Sequence, residues 1–229
     1  DGHGGYMNGS RYYGEDLPIN TWYMKRFAGL SEDGLSLWYY TDKETNEEKT
    51  TTTYSTGDFY LCGDPNPDLY GGFGTSITFH GFDLSTQFSY LVGGLTYDYG
   101  YAGMMGNPTA TSVGNRWHKD VLKAWSPENP SSTIPRWHFN DLNTTGSSDR
   151  FLIDGSYLNL QNIQVGYTLP DSWTSHLKIK NLRLYFVCDN VYYWSKRKGL
   201  DPRRSISGVG TSGKIAPFRT YSGGISLQF

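Results

Sequence analysis

Strict alternation of apolar and polar residues recurs along this chain, and its cleanest run occupies the closing segment. From Arg219 to Phe229, Tyr221, Ile225, Leu227 and Phe229 share one side, and Thr220, Ser222, Gly224, Ser226 and Gln228 share the other. A period of two is the signature of a β-strand with one apolar and one polar face. Upstream, Leu182, Leu184, Phe186, Cys188, Tyr192 and Trp194 oppose Arg183, Tyr185, Asp189 and Tyr193. Phe82, Leu84, Phe88, Tyr90 and Val92 oppose Asp83, Ser85, Gln87 and Ser89, and Phe73, Thr75, Ile77 and Phe79 oppose Gly74, Ser76, Thr78 and His80. Between Phe151 and Leu169 the apolar set is Leu158 and Leu160, then Ile163, Val165, Tyr167 and Leu169. Its parity changes near Gln161, which predicts a bulge, or a strand whose upper part contacts something inside. The pattern predicts five strands, at about 73–80, 82–97, 151–169, 180–194 and 219–229.

The connections between these strands are very unequal. Two are short, at His80-Gly81-Phe82 and from Pro170 to Ile179, and two are long, at 98–150 and 195–218. Residues 1–72 read as a loop region with one hairpin, around Trp22–Ala28 and Leu35–Tyr40. A structureless connection of roughly 50 residues is foreign to a compact soluble domain. Short turns at one end and long loops at the other are the pattern of a transmembrane barrel with periplasmic turns and extracellular loops. The strands also approach the roughly 9–11 residues that cross a bilayer at a tilt. Five strands cannot close, and bacterial barrels have even counts. The expected fold is therefore all-β, a C-terminal segment of about five strands from a large antiparallel transmembrane β-barrel with long extracellular loops. If its end is periplasmic, five strands place its start outside, in an extracellular loop.

Composition narrows the function classes. Hydrophobic residues make up only 37% of the chain, whereas Gly (28), Tyr (19) and Trp (7) are abundant. Tyr and Trp suit a surface that is apolar in its middle and wet at its ends. A soluble, secreted β-sandwich such as a carbohydrate-binding module has the same composition and is the competing reading. The net charge of −2 gives no electrostatic basis for nucleic-acid binding. No stretch approaches the roughly 20 apolar residues of a membrane helix. The start, Asp1-Gly2-His3-Gly4-Gly5, lacks a basic and apolar leader pattern, so an export signal is expected upstream of residue 1. Cys62 and Cys188 are far apart and give no metal spacing.

Catalytic and metal-site patterns are missing. No Ser occupies a nucleophile elbow, no Gly-rich phosphate loop is present, and Glu47-Glu48 lie in a mixed-charge loop. His3, His80, His118, His138 and His176 have no ligand spacing. Asp64, Asn66 and Asp68 echo the start of a calcium loop, but Pro65 and Pro67 interrupt it, and Leu69 and Thr75 stand where Gly and Glu are needed. We read that segment as a rigid turn. No enzyme, cofactor or metal site is expected, and Arg183 and Asp189, on the polar side of one strand, read as an ordinary charge network.

Several motifs resemble the SusC/RagA-type TonB-dependent transporters of Bacteroidetes. Gly63-Asp64-Pro65-Asn66-Pro67, followed by Tyr70-Gly71-Gly72-Phe73-Gly74, is similar to the approach to a late barrel strand there. Trp125-Ser126-Pro127-Glu128-Asn129-Pro130 with Pro135-Arg136 resembles a family loop. Ser148-Asp149-Arg150-Phe151, Asp154-Gly155-Ser156-Tyr157-Leu158 and Gly166-Tyr167-Thr168-Leu169-Pro170 resemble the strand after it. Asp189-Asn190, Trp194 and Lys198-Gly199-Leu200-Asp201-Pro202 resemble the penultimate strand and its loop. Pro18, Ala28-Gly29-Leu30 and Leu37-Trp38-Tyr39 resemble an earlier segment.

The resemblance implies a 22-stranded barrel plugged by an N-terminal domain, with the other strands, the plug, the TonB-contacting segment and the signal peptide upstream. It implies import of glycan oligomers or peptides across the outer membrane, in contact with lipid bilayer and TonB, beneath a SusD-like surface lipoprotein. Tyr221, Ile225, Leu227 and Phe229 then read as a barrel-assembly signal, against the plainer reading of an edge strand. Trp117, His118, Trp125, Arg136, Trp137 and Phe139 form a candidate loop that contacts ligand, lid or plug, against the plainer reading of loop packing.

Overall fold

The computed structural model describes residues 4–109, 116–141, 143, 146–174, 178–197, 199–204, 207–209 and 217–229. Parts of the loops at 98–150 and 195–218, and His3, His176 and Lys198, lie outside these residues. In chain order the first strands are β1 (Gly5–Asn8), β2 (Arg11–Gly14), β3 (Thr21–Lys25), β4 (Phe27–Leu30), β5 (Ser36–Thr41), β6 (Glu48–Thr51) and β7 (Phe59–Leu61). Two long strands follow, β8 (Leu69–Phe79) and β9 (Phe82–Val92), then the short β10 (Leu95–Tyr97) and helix α1 (Tyr99–Met104). The remainder is β11 (Leu152–Asp154), β12 (Tyr157–Thr168), helix α2 (Asp171–Thr174), β13 (Asn181–Ser195) and β14 (Thr220–Gln228). The chain divides into two compact units.

The first unit comprises residues 1–66, 94–154 and 204–213. It holds the sheets β1-β2-β3-β7 and β4-β5-β6 and the pair β10-β11. Its core gathers Trp22, Met24, Tyr97, Met105 and Phe151. Trp22 is fully buried, its indole N–H donates to the Leu95 carbonyl at 3.1 Å, and the Arg11 guanidinium stacks 3.1 Å from its ring centroid. Arg11 also donates to the Asn20 and Ser207 carbonyls, so it is a buried but satisfied cation. Arg150 lies over the rings of Phe27 and Phe151. Burial pushes both guanidinium groups down to about 10, so both stay charged at neutral pH.

Residues 1–72 hold the short strands β1–β7 in addition to the one expected hairpin. The one expected hairpin is present as β4–β5, with Phe27 opposite Trp38, but the segment from Trp22 pairs with β7 instead. Strands of three to six residues are too short for alternation to stand out in sequence. Two expected strands also divide. Gly93 and Gly94, with φ of +83° and +74°, turn the chain between β9 and β10, and Gly155-Ser156 separates β11 from β12. Only glycine adopts such φ values without strain.

The second unit, residues 67–93, 155–203 and 214–229, is a single antiparallel meander in the order β8-β9-β12-β13-β14. His80 and Gly81, with φ of +48° and +84°, form the two-residue turn between β8 and β9. Positive φ at both positions matches the twist of the flanking strands. Beyond Leu160 the register shifts: β9 advances from Phe88 to Gln87, β12 from Leu160 to Asn162, and β13 from Tyr192 to Asp189. One extra residue in β12 and two in β13 widen the bulge strand by strand. This bulge explains the parity change near Gln161.

Candidate functional site

The register converts the alternating strands into two continuous faces. One row on the first face runs Ile77, Leu84, Val165, Phe186, and the next runs Phe79, Phe82, Tyr167, Leu184, Ile225. Above them lie Thr75, Thr86, Ile163, Cys188 and Tyr221, then Phe73, Phe88, Leu160 and Tyr192, then Tyr90, Leu158 and Trp194. The bulge keeps Leu158 and Leu160 on this face despite their changed parity. Most of these side chains are open: Ile77 is 56% exposed, Phe79 69% and Ile225 66%. An apolar surface of this size on a folded chain marks contact with an apolar medium or partner.

Aromatic residues concentrate at its two ends. Phe79, Phe82 and Tyr167 lie beside the short turn, with the Phe82 and Tyr167 centroids 4.4 Å apart. Tyr90, Tyr192 and Trp194 lie at the long-loop end, with Tyr192 and Trp194 4.8 Å apart. From Phe82 to Val92 the strand rises about 34 Å at roughly 3.4 Å per residue. At a tilt near 40° that is about 26 Å along the normal, the height of the apolar band of an outer-membrane barrel.

The opposite face is polar and bonded within itself. Arg183 on β13 makes a two-pronged ion pair with Asp83 on β9, with Nε–Oδ1 at 2.9 Å and Nη2–Oδ2 at 2.5 Å. The pair bridges over β12 at Gly166, where a Cβ would collide with both side chains. Gly166→Ala and Asp83→Asn should therefore each lower the urea midpoint of the folded barrel, and the double variant should lose little more than either single one. Additive losses in urea titrations would contradict this link. Nearer the long loops, Asn162 donates to Asp189 at 2.7 Å. Arg203 reaches back from the loop after β13 to donate to Asn159 at 2.6 Å while pairing with Asp201 at 2.7 Å. Sequence reading named Arg183 and Asp189 but missed Asp83, Gly166, Asn159, Asp201 and Arg203. Their only signal is position on the polar side, because partnership depends on register.

The other sequence candidates fall into two groups. Tyr221, Ile225, Leu227 and Phe229 all lie exposed on the apolar side of β14, Phe229 at 74%. Within the first unit, the Trp117 ring meets Trp137 edge-on at 5.3 Å, and its N–H donates to the Gly106 carbonyl at 3.2 Å. His118 accepts from the Asp120 amide at 3.2 Å and packs edge-on against Tyr101. Trp125 covers Gly34, whose φ of +73° and lack of a Cβ make room for the ring, and the Arg136 amide donates to the Gly34 carbonyl at 2.8 Å. These residues are tied into loop packing, whereas Trp137 and Phe139 remain 41% and 56% exposed. Among the described residues no cluster of His, Cys, Asp or Glu could hold a metal ion, and Cys62 and Cys188 are free thiols. The Asn66 amide donates to Asp64 at 2.9 Å, a local turn.

No family model matches the chain. The chain is similar to TonB-dependent receptor P3 of Formosa agariphila, with 29% identity over 98% of this chain and 22% of that protein. It is also similar to TonB-dependent receptor SusC of Bacteroides thetaiotaomicron, with 27% identity over 77% of the chain and 17% of that protein. Among solved structures, the RagAB peptide transporter superposes with a TM-score of 0.80 at 25% identity, covering 98% of this chain and 24% of that one. The RagAB peptide importer in its 'open-open' state gives 0.79 at 25% identity over 100% of this chain and 24% of that one. The chain spans less than a quarter of the length of these relatives. The resemblance to SusC/RagA-type TonB-dependent transporters is thus present in sequence and in fold, and the five-stranded sheet is an open piece of a large antiparallel transmembrane β-barrel.

Proposed function

We propose that this chain supplies the last five wall strands and several extracellular loops of a TonB-dependent outer-membrane importer of glycan oligomers or peptides. The observation that carries the reading is the exposed apolar face, continuous over five strands and backed by an ion-paired polar face. The polar face lines the lumen, and the apolar face meets lipid. The peptide option draws on the likeness to RagAB, the glycan option on the family resemblance. A soluble sandwich would bury the apolar face against a second sheet, and Ile77, Phe79 and Ile225 are open instead. The remaining strands, the plug and the TonB-contacting segment belong to the rest of the transporter.

In this reading the loops at 98–150 and 195–218 face the outside, and the turns at 80–82 and 170–179 face the periplasm. The segment from Trp125 to Arg136, with the exposed Trp137 and Phe139, meets a SusD-like lipoprotein or the plug. Its prolines, Pro127, Pro130 and Pro135, restrict the backbone and lower the entropy lost on docking.

Cysteine labelling of whole cells tests both points. The native thiols form a quiet background. Burial pushes Cys62 up to about 11, so it stays protonated and unreactive at pH 7.5, and Cys188 is buried. In the complete transporter, Ser131→Cys should react with an impermeant maleimide and Ser172→Cys should not, both positions being exposed. Coexpressed lipoprotein should slow the reaction at residue 131. Labelling at residue 172 in intact cells would overturn the orientation, and an unchanged rate at residue 131 would remove the lipoprotein as the docking partner.

A further inference from the structure

The motif Gly199-Leu200-Asp201-Pro202 follows β13 and folds back over the polar face. Gly199, with φ of +89°, allows the chain to turn there. The Asp201 carboxylate then accepts from the Arg203 amide at 3.1 Å, a local turn across Pro202 that aims the Arg203 side chain at the sheet. The guanidinium is held by three partners. Its Nε and Nη2 donate to the two Asp201 oxygens at 2.8 and 2.7 Å, Nη1 donates to Asn159 Oδ1 at 2.6 Å, and its carbon lies 4.6 Å from the Tyr193 ring centroid. Asn159 is the centre of the cross-strand row Ser89, Asn159, Tyr193 on β9, β12 and β13, and its amide donates to the Ser89 hydroxyl at 3.4 Å. Leu200 and Asn159 are buried with this network. The side chains of Arg203 and Asp201 are 13% and 6% exposed, against 26% and 23% for the Arg183–Asp83 pair lower on the same face. The returning segment thus covers its own seat.

We propose that Arg203 is a positioning residue that straps the start of the loop after β13 to the inner wall, making Leu200–Arg203 a fixed part of the lumen lining at its outer end rather than a lid that lifts. The proposal rests on the reading of the polar face as the lumen. A planar guanidinium matches a carboxylate and an amide oxygen at once, which the single ammonium of a lysine cannot do with the same geometry. A buried polar network whose members are all bonded is rigid and specifies one arrangement. Taking away one acceptor leaves a buried donor unpaired, so the segment gains more by lifting into water than by staying. Because Ser89, Asn159 and Tyr193 come from three neighbouring strands, the strapped segment moves only with the wall.

The test is limited proteolysis of the complete transporter in mild detergent, with thermolysin, which cuts before Leu, and with mass spectrometry to follow cleavage of the Gly199–Leu200 bond. Only protein that migrates as a heat-modifiable barrel is scored, so a variant that fails to assemble is not mistaken for a released strap. Asn159→Leu removes the acceptor at similar size, Arg203→Met removes the guanidinium, and Asn159→Asp keeps an acceptor in place. Wild type and Asn159→Asp should resist cleavage, and Asn159→Leu and Arg203→Met should be cut at least tenfold faster. Equal rates in all four proteins, or cleavage of Asn159→Asp as fast as Asn159→Leu, would overturn the proposal. A wild-type chain that is not a heat-modifiable barrel would instead remove the lumen reading beneath it.

Discussion

Replacing Ile163 with Arg should sharply reduce folded barrel in the outer membrane, whereas Gln164→Arg, one residue later, should leave it near the wild-type level. Ile163 lies in the middle row of the apolar face, between Thr86 and Cys188. At mid-depth an Arg on the lipid side of a barrel costs about 2–4 kcal/mol, because its charge loses water and finds no partner. Gln164 sits on the other side of the strand, opposite Ser85 and Val187 and away from the apolar face, where an added guanidinium keeps its water. The heat-modifiable band and the urea midpoint of the complete protein report the difference. Equal loss in both variants would mean that the two sides of β12 do not face different media.

Removing Phe229, or changing it to Asp, should lower the amount of assembled barrel several-fold while leaving transport per barrel unchanged. Phe229 continues the row of Tyr221, Ile225 and Leu227, and is 74% exposed at the end of the strand β14. Its ring makes no structural contribution to the polar side, so its loss should affect how the barrel is inserted rather than how it works. Quantifying heat-modifiable protein beside substrate uptake separates the two. Normal barrel levels with reduced uptake would assign Phe229 a role in transport instead.

The long strands were legible because one apolar and one polar face impose alternation over 9 to 15 residues. The bulge was half legible. A single extra residue in β12 changes parity and shows in sequence, whereas the two extra residues in β13 restore it and stay silent. The first unit was largely illegible, because its strands are three to six residues long and its core depends on distant pairs such as Trp22 with Tyr97. The Asp83–Arg183 pair joins residues a hundred positions apart and follows only from register. Of the candidate loop residues, their aromatic character was plain, but the seat of Trp125 over Gly34 was not, since nothing local to either residue indicates the other.

The most direct test of the account is a spin-label accessibility scan of the complete transporter in liposomes. Labels would be placed singly at Ile77, Leu84, Val165 and Ile225, and at their sequence neighbours Ser76, Ser85, Gln164 and Ser226. Oxygen partitions into hydrocarbon and a charged nickel chelate into water, so their ratio at each site reports the surrounding medium. Oxygen accessibility should be high and nickel accessibility low at the first four positions, with the reverse ordering at the second four. A flat profile, or nickel access at Ile77, Leu84, Val165 and Ile225, would contradict the claim that this face is the lipid-facing wall of a barrel.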